Sequence, residues 1–220
     1  MKVAIFDFDG TLYAKETFQL LMDHLKHHPT HSSKYKAFFR RILPLYIGYK
    51  IKIVPEAKMR EGSMQIYANA LRTLSKAEYK HYFNEMKEDM RQAFNEEVVK
   101  KVRQHQSEGM HVMLVSGAYT PLLYAATEGI EFDTIIGTDI PFTAEDAFDN
   151  ETEIYHINGK RKTEMIMEIF DGQQVDWEHS FAYGDSYSDL PVLELVGNPV
   201  AVRPEERLRR IAEERNWIVM

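Results

Sequence analysis

The sequence predicts an α/β fold, a doubly wound parallel sheet that is interrupted after its first strand by a helical insert. From residue 96 to the end, short apolar runs that favour strands alternate with helical periods. Such alternation is typical of a parallel sheet covered by helices on both faces. Residues 16–95 instead show helical spacing almost throughout, as in the apolar series Phe18, Leu21, Met22 and Leu25.

The predicted elements follow in a regular order. Strands are expected at 2–8, 110–115, 134–137, 153–157, 180–183 and 199–202, and helices at 96–108, 119–128, 161–170, 188–195 and 204–215. Within the insert, Pro29 ends a first helix, Pro44, Gly48 and Pro55 punctuate the next stretch, and helices are expected at 56–74 and 76–94, the latter capped by Ser75. We therefore divide the chain into a core, 1–14 and 96–220, and a helical cap, 15–95. An insert that follows the first strand would cover the sheet edge where open α/β folds bind ligands.

The composition is that of an ordinary folded protein. Hydrophobic residues make up 44% and charged residues 28% of the 220 positions. No apolar run approaches the roughly 20 residues of a membrane-spanning helix, and the N-terminus lacks a signal-peptide pattern. Cysteine is absent, which excludes disulfides and thiolate chemistry. We expect a cytoplasmic protein, and the sequence does not indicate its oligomeric state.

Charge is distributed unevenly along the chain. The net charge of −7 argues against nucleic-acid binding. Between Lys15 and Arg91, however, Lys and Arg outnumber Asp and Glu by 15 to 8, whereas the remainder has 12 against 26. A basic surface on the cap would attract anions such as phosphate esters, although a solvated helical surface without any ligand explains the same pattern.

The segment DFDGT, residues 7–11, directly follows the first predicted strand. Asp7 and Asp9 are spaced so that both face the same side of a strand, and two acids there are costly to bury. A divalent cation would hold both, and carboxylate oxygens suit magnesium. One carboxylate can then attack phosphorus while the other handles a proton. The alternative is a turn that merely contains acids.

Three further groups of polar residues lie next to predicted strands or helices. Ser116-Gly117 follows strand 110–115 and can bind phosphate oxygens or cap the next helix. Lys160 or Lys162 can neutralise the negative charge of a nucleophile and a phosphate. Taken without the other motifs, either residue is equally well explained as an ordinary surface lysine. The turn GDSYSD, residues 184–189, offers Asp185 to complete a metal site and Asp189 to steady a ligand or the lysine, or else forms an ordinary capped helix.

In this order, DFDGT, SG, the lysine and GDSYSD resemble the four motifs of the haloacid dehalogenase superfamily of phosphatases. The position of the cap and the run AYGDSYSDLPVLELVGNPVAV resemble its phosphoserine-phosphatase-like branch, subfamily IB. The resemblance spans the core, whereas the cap matches only in placement and helical character. It implies a Rossmann-like core and magnesium-dependent hydrolysis of a small phosphomonoester. Apart from the resemblance, we expect no nucleic-acid partner and no membrane contact.

The resemblance also assigns catalytic roles. Asp7 is implied to be the nucleophile, which forms an aspartyl-phosphate, and Asp9 the group that protonates the leaving oxygen and then activates water. Lys162 is preferred as the catalytic lysine because Ile166 follows it as in the family pattern, with Lys160 as the alternative. Dehalogenases of this superfamily lack an acid at the position of Asp9, so its presence favours phosphate chemistry.

The same resemblance implies ligands for metal and substrate. Magnesium is expected on Asp7, on the backbone carbonyl of Asp9 and on Asp185, and the transferring phosphate on Ser116 and Gly117. Glu16 has the spacing of the glutamate that holds the substrate amine in phosphoserine phosphatases, but it also suits the start of the first cap helix. The corresponding carboxylate-binding arginine is less clear, with Arg60 as the candidate.

The cap stretch AFFRRILPLYIGYKIKIV, residues 37–54, is more apolar than a site for a small amino acid requires. It is either plain cap core, a receptor for a larger and partly apolar phosphate ester, or a surface that touches a membrane. Two other classes remain for the whole chain: a phospho-acceptor switch, or a binding module that kept the fold. The presence of Asp9 and of a large cap favours a hydrolase over the switch, and the presence of every motif acid favours a hydrolase over the binding module.

Overall fold

A computed structural model describes residues Met1–Met220 and contains one six-stranded, wholly parallel sheet. The strand order is β3-β2-β1-β4-β5-β6, so the chain winds outward from β1 first to one edge and then to the other. The strands are β1 (Val3–Phe6), β2 (His111–Tyr119), β3 (Thr134–Thr138), β4 (Phe181–Gly184), β5 (Asn198–Ala201) and β6 (Ile218–Val219). The predicted doubly wound α/β fold is confirmed.

Ten α-helices accompany the sheet. Those between β1 and β2 are α1 (Thr17–His27), α2 (Ser32–Lys50), α3 (Glu56–Ala70), α4 (Lys76–Asn84), α5 (Lys87–Arg91) and α6 (Glu96–Ser107). The later ones are α7 (Thr120–Ala126), α8 (Lys160–Ile169), α9 (Leu190–Leu193) and α10 (Glu206–Glu214). None of these helices combines the length and apolar character that crossing a bilayer requires.

The residues of β1 explain why the sheet is covered on both sides. Ala4 and Phe6 belong to the apolar cluster on one face, and Val3 and Ile5 to the cluster on the other. All four side chains are buried, as expected for a central parallel strand. The first of these clusters continues into the helical insert, where it includes Tyr67 of α3.

The chain segments that lead into and out of the insert lie side by side. Ala14 N–H donates to the Ala93 carbonyl at 2.9 Å, and Asn95 N–H donates to the Leu12 carbonyl at 2.8 Å. The outgoing and returning segments therefore pair with each other through their backbones, between β1 and α1 on one side and before α6 on the other. The boundaries after residue 14 and before residue 96 stay a prediction.

Residues 153–157 do not form the strand that was predicted. Their backbone groups bond to side chains instead of to a neighbouring strand: Ile154 N–H donates to Gln65 Oε1 at 2.8 Å, and Ile157 N–H donates to Thr138 Oγ1 at 3.1 Å. A short run of this kind is compatible with a paired strand and with an extended segment held by side chains. Its periodicity therefore could not distinguish these two structures.

Strand β2 is longer than predicted. It continues to Tyr119, which pairs with Thr138 after a register shift that begins at Val115. Ser116 and Gly117 thus lie within this irregular stretch rather than after the strand, and Tyr119, not Ser116, is the N-cap of α7. A bulge of this kind re-aims side chains at the sheet edge.

The insert helices also differ from the prediction. Helix α2 runs through Pro44 and Gly48 without ending, although proline removes one helical hydrogen bond and usually breaks a helix. Burial of Phe38 and Ile42 on one side of α2 contributes tertiary packing that favours the continuous helix. The single helix expected at 76–94 is divided into α4 and α5, and Ser75 caps α4 as predicted, in a capping box with Glu78.

Candidate active site

Asp7 lies directly after β1, where the Asp7 N–H still donates to the Tyr183 carbonyl of β4 at 2.9 Å. Its side chain is buried and contacts Lys162 of α8, with Nζ 2.5 Å from Asp7 Oδ1. The same ammonium is 2.6 Å from Asp189 Oδ1. Lys162 is only 5% exposed, whereas Lys160 is exposed. The structure therefore places Lys162, rather than Lys160, against Asp7.

Three carboxylates lie around this one ammonium, which contacts only those of Asp7 and Asp189. The group therefore has an excess of negative charge in a buried place. Burial and the neighbouring Asp189 raise the pKa of Asp7 well above its usual value, and Lys162 only partly opposes them. Burial and Asp189 likewise raise the pKa of Asp185 to about 7. Burial disfavours the charge on Lys162, but the two acids outweigh it and raise the pKa of this lysine. The lysine therefore stays cationic.

A divalent cation fits this cluster. One carboxylate oxygen each from Asp7, Asp185 and Asp189 lies within 4.8 Å of the others. The donor set is oxygen only, which suits magnesium, and the cation would offset the excess negative charge. The side chain of Asp9 is not part of the cluster, so the predicted participation of Asp9 concerns its backbone carbonyl alone.

Gly10 explains how Asp185 can approach the turn after β1. Gly10 has a φ of +74°, and a Cβ at this position would clash with the Asp185 carboxylate. Any other residue would be strained and would displace the carboxylate. The glycine of DFDGT thus permits close approach as well as the tight turn that the sequence predicted.

Asp9 connects the core to the insert. Its Oδ1 accepts the Thr17 N–H at 2.8 Å and also the Thr17 hydroxyl, at the first turn of α1. Glu16 is the N-cap residue of α1 but makes no side-chain capping bond, so Asp9 supplies the acceptor there. Burial raises the pKa of Asp9 to about 6. The hydrogen bonds from Thr17 lower this pKa, but burial has the larger effect.

Thr17 is predicted to position Asp9 for proton transfer. We expect Thr17→Val to lower kcat about tenfold with little change in KM, because the acid loses one of the two donors that hold it. Thr17→Ser, which keeps the hydroxyl, should restore most of kcat. Steady-state kinetics of both variants check this, with the exposed Thr30→Val as a control. A raised KM at unchanged kcat would contradict a positioning role.

Ser116 and Gly117 lie beside this cluster. Ser116 is buried, and its Oγ accepts the Ala118 N–H at 3.1 Å, which leaves its hydroxyl proton without a protein acceptor. A Cβ on Gly117 would lie 2.8 Å from His156 Nε2 and 3.0 Å from the Ile157 carbonyl. Gly117 therefore permits the segment around His156 to pack against the bulge of β2.

These residues line one cavity of about 750 Å³ between the sheet edge and the insert. From the core it includes Asp7, Asp9, Ser116, Gly117, Lys162, Asp185 and Asp189, and from the insert Glu16, residues 17–23 of α1, Met59, Arg60, Ser63 and Met64. The predicted site residues are thus brought together. Glu16 and Arg60 both line this cavity. The Arg60 guanidinium also forms an ion pair with Glu56 at 2.9 Å.

His156 and Asn158 also line the cavity, and sequence reasoning missed both. His156 lies in the predicted strand 153–157 and Asn158 directly follows it, and no motif contains either residue. Burial, followed by the charge of Arg60, lowers the pKa of His156 to about 4. A single histidine in a short run of this kind gives no indication that its side chain lines a cavity.

The buried His156 should make the folded protein sensitive to acid. Its pKa is lowered from 6.5 to about 4, so in this window the unfolded chain binds a proton that the folded protein excludes. Stability is lost as the pH falls through the window. Relative to His156→Gln, we expect the wild type to lose roughly 3 kcal/mol between pH 7 and pH 4. Denaturant unfolding at both pH values measures this. The exposed His27→Gln is the control, and parallel curves for wild type and His156→Gln would contradict the prediction.

A second group of potential metal ligands, His24, His28 and Glu85, joins α1 to the end of α4. His28 Nδ1 accepts the backbone N–H groups of Thr30 and His31, both at 3.1 Å. The ring proton therefore lies on Nε2, which is 3.0 Å from a Glu85 oxygen. This contact joins the C-terminal end of α1 to the end of α4.

A parallel α/β sheet whose central strand ends in two acids, next to a buried lysine and a cluster of carboxylates, defines a hydrolase of the Rossmann-like class. The family model of the haloacid dehalogenase-like hydrolases matches residues 4–194. The chain belongs to this family.

Comparison with individual proteins agrees with this assignment. The chain is 31% identical over 125 residues to the inhibition of morphological differentiation protein of Streptomyces azureus, a match that covers 57% of this chain and 45% of the relative. The chain spans less than half the length of the curated relatives it matches.

A protein of unknown function from Bordetella pertussis Tohama I has a similar structure, with a TM-score of 0.82, 22% identity, and coverage of 100% of this chain and 97% of that one. A substrate-bound phosphoserine phosphatase aligns with a TM-score of 0.66 at 16% identity, covering 100% and 92%. These two likenesses concern the fold.

Proposed function

We propose that the protein is a magnesium-dependent phosphatase that hydrolyses a small phosphomonoester through an aspartyl-phosphate on Asp7. The observation that carries this proposal is the contact of Lys162 with Asp7 inside a cavity that also holds Asp9. Family membership and the phosphatase-named relatives and structures support it. Phosphoryl transfer requires mainly positioning and charge neutralisation, and this cavity supplies both.

The proposed reaction has two steps. In the first, a carboxylate oxygen of Asp7 attacks phosphorus, the ester P–O bond breaks, and Asp9 gives its proton to the leaving oxygen. In the second, Asp9 takes a proton from water, the water oxygen attacks phosphorus, and the bond between Asp7 and phosphorus breaks. Inorganic phosphate leaves, and both carboxylates return to their initial states. A pKa of about 6 for Asp9 suits an acid that also acts as a base near neutral pH.

Other residues stabilise charge. The Lys162 ammonium holds Asp7 in place and neutralises part of the charge on the phosphoryl group. Ser116 has a free hydroxyl proton to donate to a phosphoryl oxygen, and Gly117 lines the same cavity. Magnesium on Asp7, the Asp9 carbonyl and Asp185, with Asp189 adjacent, would supply further positive charge at the phosphoryl oxygens.

The lining of the cavity suits two classes of phosphate ester. Glu16 and Arg60 both line the cavity and are suited to the amine and the carboxylate of phosphoserine. The cavity also exposes apolar side chains, including Phe18, Leu21 and Met64, and its volume of about 750 Å³ lies in the upper part of the usual range for small-molecule sites. This lining favours a larger, partly apolar phosphate ester as the second candidate.

Turnover and lifetime of the phosphoenzyme test the proposal together. Purified protein is incubated with a radiolabelled aryl phosphate, with magnesium or with a chelator, and is quenched in acid. We expect magnesium-dependent phosphate release and a short-lived label on the protein. A phosphoprotein that persists without releasing phosphate would instead indicate a phospho-acceptor switch. A panel of esters from phosphoserine to apolar phosphates would then rank the two substrate classes by kcat/KM.

A further inference from the structure

The outward side of α2 carries an unpartnered apolar stripe. Phe39, Leu43, Tyr46 and Ile47 follow at the spacing of one helical face, and each is between 39% and 49% exposed. The adjacent side of the helix, about 100° around its axis, packs inward through Phe38 and Ile42. Helix α2 is therefore apolar on two sides, of which the protein covers only one.

The stripe continues into the turn that ends α2. Ile51 is 60% and Ile53 75% exposed, the highest values among the exposed large apolar side chains. The backbone of this turn is fixed, because the Ile53 and Val54 N–H groups both donate to the Gly48 carbonyl, at 2.9 and 3.0 Å. The two isoleucines thus project from an ordered tip rather than from a loose loop.

Basic residues surround this apolar surface and have no acidic partner. Residues 32–54 contain six Lys or Arg and no Asp or Glu. None of the six forms an ion pair, whereas Arg60 on α3 pairs with Glu56 and Arg210 on α10 with Glu206. Lys36 and Arg40 are exposed and lie three positions before Phe39 and Leu43, so positive charge flanks the stripe.

We propose that α2 and its terminal turn, residues 32–54, dock the protein onto an anionic lipid surface. A helix with one exposed apolar face and flanking Lys and Arg lies in the interface of a bilayer, with its apolar side chains among the acyl chains and its charges at the headgroups. The unpaired charges complement anionic lipids. This inference differs from the sequence-based expectation of no membrane contact, and it does not rest on the proposed phosphatase activity.

The shape of the surface favours lipid over other occupants. None of these exposed apolar side chains lines the catalytic cavity of about 750 Å³. They protrude from a helix and a turn, and a bilayer accepts protruding side chains without a matching groove. A second copy of this chain would bring the same unpaired positive charges together, which is unfavourable. Helix α2 also packs on α1 and α3, both of which line the catalytic cavity.

Vesicle co-sedimentation tests the proposal. The 220-residue protein is mixed with vesicles of phosphatidylcholine alone or of equimolar phosphatidylcholine and phosphatidylglycerol. We expect binding to the anionic vesicles that weakens as salt is added. Ile51→Ser/Ile53→Ser should lower the partition coefficient roughly tenfold, through loss of apolar burial. Lys36→Gln/Arg40→Gln should lower it by about fivefold for each charge removed.

The matched control is Lys100→Gln/Arg103→Gln on α6, which removes one exposed Lys and one exposed Arg elsewhere. It should bind as the wild type does, and all variants should keep aryl phosphate turnover and melting temperature. Failure of the wild type to bind anionic vesicles, or an equal loss in the α6 control, overturns the proposal. Concentration-dependent dimers in sedimentation velocity that disappear in Ile51→Ser/Ile53→Ser, without vesicle binding, would assign the surface to a second copy instead.

Discussion

Asp7→Asn is expected to lower kcat by at least about a thousandfold, because the amide cannot act as the nucleophile that accepts the phosphoryl group. The fold should survive. The substitution removes one of three carboxylates that burial and mutual repulsion disfavour, and Lys162 keeps its contact of 2.6 Å with Asp189. We therefore expect a melting temperature equal to or above that of the wild type. Turnover of an aryl phosphate and thermal unfolding monitored by circular dichroism measure both effects.

Asp171→Asn is the matched control for this variant. Asp171 is exposed and follows α8, so the same chemical change there should leave kcat within about twofold of the wild type. Acid-quenched Asp7→Asn should also carry no phosphoryl label. Retained turnover or a labelled Asp7→Asn protein would exclude Asp7 as the nucleophile, and Asp9 or Asp185 would then have to be considered.

Lys162→Met is expected to have the second-largest effect, on stability as well as on turnover. It leaves Asp7 and Asp189 buried without the ammonium that contacts both. Breaking a buried ion pair by removing one partner costs about 3–5 kcal/mol. We also expect kcat to fall at least about a hundredfold, because the lysine no longer neutralises the reacting groups. Denaturant unfolding in the presence of a chelator and aryl phosphate kinetics measure these losses.

Lys160→Met gives the comparison that the chain itself offers. The two lysines are two positions apart on α8, but Lys160 is exposed while Lys162 is 5% exposed. Loss of the Lys160 charge should change the free energy of unfolding by less than about 0.5 kcal/mol and leave turnover nearly unchanged. Similar losses in both variants would mean that the contact of Lys162 with Asp7 has no special importance.

The sequence was sufficient for the sheet and for the residues at its carboxyl edge. Strand-forming runs alternate with helical periods, and the acids of DFDGT and GDSYSD follow β1 and β4, which are neighbours in the sheet. Parallel strands place the ends of neighbouring strands at one edge, so Asp7 and Asp185 had to be close. The preference for Lys162 over Lys160 depended on a family resemblance, because spacing on a helix alone does not decide which of two lysines is buried.

The contacts between core and insert could not be predicted in this way. The hydrogen bonds from Thr17 to Asp9, and the entry of His156 into the cavity, depend on how separate segments pack. Helix α2 shows the same limitation, since local propensity predicted interruptions at Pro44 and Gly48 that tertiary packing overrides. The strand expected at 153–157 was wrong because side chains of Gln65 and Thr138 satisfy its backbone, and such distant partners leave no local pattern.

The paired segments at Leu12–Ala14 and Ala93–Asn95 have an evolutionary consequence. Backbone hydrogen bonds hold the two ends of the insert together, so the segment between them is a closed loop attached to the core. The entropic cost of closing such a loop grows only slowly with its length. Helices can be gained, lost or exchanged there while the acids and the lysine keep their places. One condition limits this freedom: each new arrangement must again offer Asp9 a hydrogen-bond donor where Thr17 now provides one.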